Sequence, residues 1–133
     1  MNISSTSSFL RRVLLADAAT SCASGLLMAL AAVPLENMLG IPSTLLRYAG
    51  LSLLPFAALI AYLATRRSLP RSAVWAVIAL NALWVADSLL LLVGGWVGPT
   101  TFGYVFVIAQ ALVVAAFAEF EYVGLRKSPA AAA

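Results

Sequence analysis

The chain has 133 residues, of which 63% are hydrophobic and 10% charged, with a net charge of +3, a pI near 9.5 and a mean hydropathy of +1.01. Soluble domains are about half apolar and about a quarter charged, so a soluble globular domain is excluded and an integral membrane protein expected. The chain contains no histidine and one cysteine, which removes the usual haem ligand, the commonest general base and any intrachain disulfide.

A helix needs about 20 apolar residues to cross the ~30 Å hydrocarbon core. Four stretches meet that length, at roughly 12–33, 44–65, 72–94 and 101–123. They predict an all-α, polytopic four-transmembrane-helix bundle, with residues 1–133 forming a single membrane-embedded domain and no room for a separate soluble one. The first stretch follows Arg11-Arg12 and resembles a secretory signal ending at Ala29-Leu30-Ala31, but Asp17 interrupts what would be an uncharged core, so it is read as a span. Its single thiol, Cys22, is read as a small buried residue. Asp17, Ser21, Ser24 and Met28 share a stripe with Gly25 beside it, and Ser21-x-x-x-Gly25 is a small-xxx-small step. Ser21, Ser24 and Gly25 therefore form the expected helix-packing face.

Residues 33–42 contain Pro34, Gly40 and Pro42 and are read as an interfacial loop. The second span carries Pro55 halfway along, which lacks an N–H and leaves the carbonyl of Leu51 free. Thr65 to Arg71 forms a basic turn, the third span follows, and Gly94 to Pro99 forms an uncharged turn before the fourth. Gly40-Ile41-Pro42-Ser43-Thr44 and Gly98-Pro99-Thr100-Thr101 open the second and fourth spans alike, as Pro with Ser or Thr opens many helices.

Seven of the eight cations lie at three places: Arg11 and Arg12; Arg66, Arg67 and Arg71; Arg126 and Lys127. Lys and Arg are retained on the cytoplasmic side, so both the N and C termini are expected to be cytoplasmic. Tyr48, Trp96 and Tyr104 then fall at outer ends and Tyr62, Trp75 and Tyr122 near inner ends, as aromatic belts require. Trp84 lies mid-helix, where it is expected to pack inside. The cations sit beside the bilayer, so lipid headgroups rather than nucleic acid are the expected partner.

Ionisable groups at mid-membrane cost about 2.5–3.5 kcal/mol on insertion scales, so each calls for a reason. Asp87 has no cation near it in sequence and lies beside the uncharged turn, which makes it the leading candidate for a titrating site. Gln110 and Ser52 lie at comparable depth, and with Asn81 near the midplane the four residues form a candidate ligand or ion pathway. The alternatives are that interhelical hydrogen bonds or Arg47 hold Asp87, and that Asn81 serves packing. Asp17 and Glu119 form a second candidate, two carboxylates at one depth sharing a proton. The competing reading pairs each with Arg12, Arg66, Arg67 or Arg126 at the rim. Glu119 and Glu121, two residues apart, cannot both face one direction.

No metal-ligand cluster, nucleophile with a base, phosphate loop or redox cysteine pair is present. No catalytic residue, metal or cofactor is therefore assigned. Leu39-Gly40-Ile41-Pro42 after the first helix, with Ala49-Gly50-Leu51 opening the second, resembles DoxX-like four-helix bacterial membrane proteins. That resemblance implies a multi-pass protein of the bacterial inner membrane, in a group sometimes associated with redox or quinone systems. Three functions follow as expectations. The first is a noncatalytic protein acting through helix association, as a homo-oligomer or an accessory subunit of a membrane complex. The second is an oligomeric proton-coupled transporter or channel using Asp87, Gln110 and Asn81, and the third a lipid- or quinone-binding membrane enzyme.

Overall fold

The computed structural model describes residues 3–5 and 8–127. In chain order they form β1 (Ile3–Ser5), α1 (Ser8–Leu30), α2 (Ala32–Leu39), α3 (Ser43–Ala64), β2 (Ser68–Pro70), α4 (Arg71–Val93) and α5 (Thr101–Lys127). Four of the five helices, α1, α3, α4 and α5, are long and apolar enough to cross a membrane. At ~1.5 Å per residue they reach about 33 to 40 Å, and each satisfies its own backbone, as a lipid environment demands. β1 and β2 pair antiparallel, with Ile3 opposite Pro70 and Ser5 opposite Ser68.

The ends of these elements differ from the sequence expectation at three places. α1 begins at Ser8 rather than 12, so Arg11 and Arg12 lie within its first turns, exposed on its flank. Of residues 33–42 only the last three form a loop. Pro34 has no N–H to offer Leu30, so the helix bends at Ala31 and restarts as the two turns of α2, where Pro34 occupies the first turn and breaks no bond. Gly40 then ends α2 at φ 72°, and a Cβ there would stand 2.6 Å from the carbonyl oxygen of Gly98. At the far end α5 runs to Lys127, one turn past the expected end, because Leu125 is buried in the core and Arg126 and Lys127 complement the carbonyl end of the helix.

α1 packs against both α3 and α5, and α5 packs against α4, giving the lateral order α3, α1, α5, α4. Contact between α1 and α3 centres on Gly25 and Gly50, where a Cβ on either glycine would meet the carbonyl oxygen of the other at 2.7 Å. Of the expected small-residue face, Ser21 and Gly25 are buried and Ser24 is half-buried. Cys22, one position round the helix from Ser21, is exposed rather than buried. One apolar core lies at the arginine-rich end and joins Leu14, Ile60, Leu63 and Val77. A second lies at the charge-poor end and joins Met28, Ile41, Leu46 and Val107. The polar side chains of the interior lie between the two.

Outside the spanning helices, Glu36 on α2 accepts a hydrogen bond from the backbone N–H of Ser43, the first residue of α3. That bond satisfies an amide the helix leaves unpaired and holds the Glu36 carboxyl below the usual carboxylate range. Thr100 joins α2 to α5, with its N–H donating to Leu39 O at 2.9 Å and its hydroxyl to Met38 O at 2.7 Å.

Candidate functional site

α3 and α4 are consecutive in sequence yet do not pack backbone to backbone along their length. They meet in the core at the arginine-rich end through Ile60, Leu63 and Val77, and diverge beyond it. The divergence leaves a half-open groove with a cavity volume of about 420 Å3. Its walls are mostly apolar, with Pro55 and Trp84 among them, and carry Ser52, Asn81 and Asp87 as polar side chains besides Ser21. Pro55 is therefore a wall of the groove, at the point where α3 can bend. A second cavity, of about 240 Å3, continues toward the charge-poor end and shares Trp84 and Asp87 with the first.

Of the expected pathway, Asp87 is exposed on the groove side of α4 and has no hydrogen-bond or ion-pair partner among the described residues. Neither Gln110 nor Arg47 holds it. Gln110 accepts the Trp84 indole N–H at 2.6 Å and donates to the Ser88 hydroxyl at 2.9 Å, and Arg47 is exposed. Ser52 donates to the carbonyl oxygen of Ala49, one turn back, at 2.7 Å. The four pathway residues thus line adjoining cavities without bonding to one another. Trp84 is half-buried, and its ring is fixed by Gln110 from α5.

Asn81 belongs to a different constellation. Its Nδ2 donates to Asp17 Oδ2 at 2.9 Å and to Glu121 Oε1 at 2.8 Å, joining α1, α4 and α5 at one point. Ser21 adds a bond to Asp17 Oδ1 at 3.2 Å. Asp17 is 2% exposed and Glu121 0%, and neither makes an ion pair with a described cation. The acid opposite Asp17 is therefore Glu121, whereas Glu119 is exposed on another face of α5. Helical phase explains the correction. Glu121 follows the buried Gly103 by five whole turns at ~3.6 residues per turn and shares its inward face, while Glu119 is turned nearly opposite. Four rim cations are engaged elsewhere, Arg66 over Tyr62, Arg126 over Tyr122, Lys127 over Phe9, and Arg71 donating to Leu125 O, while Arg12 and Arg67 are exposed. The start of α1 at Ser8 also moves Asp17 to about the middle of its helix, beyond easy reach of the rim.

Among the described residues no three Asp, Glu, Cys or His side chains converge to hold a metal ion. No family model, curated protein or solved structure matches the chain.

Proposed function

We propose that the protein is a multi-pass protein of the bacterial inner membrane, arginine-rich end in the cytoplasm, that binds a lipid-soluble amphipathic molecule in the groove between α3 and α4. The orientation rests on the cation clusters at alternate connections and on exposed aromatics near both ends. The binding reading rests on one observation above the others: Asp87 has no partner among the described residues in a groove whose walls are otherwise mostly apolar.

An intramembrane carboxyl is retained against its cost when something meets it. The apolar walls suit a hydrocarbon or ring body, Trp84 offers a fixed aromatic wall, and Asp87 suits a head that donates hydrogen bonds or carries positive charge. This is the lipid-binding expectation without its catalytic part.

The test uses a variant in which Trp75 and Trp96, exposed at 47% and 72%, are replaced by Phe so that Trp84 alone emits. In lipid nanodiscs a brominated long-chain alkylamine is expected to quench Trp84 at a mole fraction at least tenfold below that of brominated phosphatidylcholine. Asp87→Asn should remove that preference, a loss of about 1.4 kcal/mol. Equal quenching by both probes in the Asp87 protein would refute the reading, as would a groove closed by a second copy of the chain.

A further inference from the structure

We propose that Asp17 and Glu121 form a proton-binding site, in which one proton is held between two buried carboxyl groups and exchanges with the α3–α4 groove past Ser21 and Asn81.

Hydrogen-bond accounting leads to it. The two carboxyl groups present four oxygens, and buried polar atoms are almost always paired. Asn81 spends one amide hydrogen on each acid, and Ser21 supplies the third donor. The fourth oxygen, Glu121 Oε2, is buried with no partner. A proton on Oε2 converts that orphan acceptor into a donor. The two acids bond to the same nitrogen, which keeps the bonded oxygens within ~6 Å, a separation at which two carboxylates strongly resist joint ionisation.

Among the described residues no cation makes an ion pair with either acid. On α1, Arg11, Arg12 and Cys22 are exposed; on α3, Arg47, Tyr48 and Tyr62 are exposed. On α4, Asp87 is exposed, and Arg71 donates to Leu125 O at 3.3 Å. On α5, Tyr104, Glu119, Tyr122, Arg126 and Lys127 are exposed. Ser21 and Asn81 also connect the pair to the groove. Ser21 and Asn81 line the groove, and Asp17 and Ser21 line a small cavity of about 70 Å3 next to Trp84 and Gln110. Binding forms one carboxyl O–H bond as a hydronium ion loses an O–H bond and becomes water, and no covalent bond of the protein breaks.

The proposal is independent of what the groove binds. Infrared spectra of the protein in lipid nanodiscs at neutral pH are expected to contain a protonated-carboxyl C=O band that shifts in D2O. The band should move or vanish in Asp17→Asn and equally in Glu121→Gln, because the proton belongs to the pair. A band changed by Glu121→Gln alone, or by neither substitution, would overturn the proposal. Ser21→Ala keeps both acids and guards against variants that fail to fold. Loss of its bond to Asp17 changes the hydrogen bonding of the carboxyl pair, so the band should shift in frequency from its wild-type position, and an unmoved band would also overturn the proposal.

Discussion

Gly25→Ala and Gly50→Ala test the α1–α3 contact directly. Each new Cβ would stand 2.7 Å from the opposing glycine's carbonyl oxygen, and ordinary contact begins at 3.4 Å. The helices must therefore separate by about 0.7 Å at the crossing, forfeiting backbone approach and the dispersion contacts around it. Overpacking of this kind costs about 1–3 kcal/mol, so about 2 kcal/mol is expected for each single substitution. Both clashes are relieved by one movement, and the double substitution should cost about 1 kcal/mol less than the sum. Equilibrium unfolding in mixed micelles, followed by far-UV circular dichroism, measures all three. Single variants as stable as the wild type, or strict additivity, would show that α1 and α3 do not cross at these glycines.

Two other expectations concern bonds outside that crossing. Glu36 has its carboxyl held low by the Ser43 N–H, so the cap is present above the ordinary value of 4.5 and is lost as pH falls through the lower folded value. The Ser43 amide resonance should therefore titrate with a midpoint below 4.5 and stay flat in Glu36→Gln; a midpoint at or above 4.5 would contradict the cap. Gln110→Leu removes two bonds between α4 and α5, to Trp84 and Ser88, and should cost about 1 kcal/mol at ~0.6 kcal/mol each, with a changed Trp84 emission. Unaltered emission and stability would mean that Gln110 does not fix the ring.

The spanning helices were legible because length and apolarity alone define them: 44–65 and 72–94 agree with Ser43–Ala64 and Arg71–Val93 within a residue. Arginine is a weaker boundary than it looks. A long side chain can run along the flank to water, so Arg11 and Arg12 sit inside α1 and Asp17 lies deeper than the charge pattern indicates. Pro34 misled in the same way, since a proline in a first turn is compatible with a helix. The side chains of the candidate site were visible one by one, but not their pairing. Asn81 could be recognised as a packing amide, yet its bonds to Asp17 and Glu121 depend on how three helices rotate about their axes. Nor does sequence order foretell that α3 and α4 are the outermost pair, because adjacent helices with a short connection usually pack together.

The join between α3 and α4 makes the pair resemble a clothes-peg, hinged at the arginine-rich end by Ile60, Leu63 and Val77 and spanned there by β2. In the proposed orientation the jaws open about the bilayer midplane, between Ser52 to Leu59 of α3 and Leu80 to Asp87 of α4, and the second cavity carries the opening toward the outer side. A molecule dissolved in either leaflet can then reach the groove by its tail, while Asp87 on the outer side of the midplane draws its head toward the charge-poor end. Diffusion in the plane, rather than passage through water, would then set how fast the protein fills.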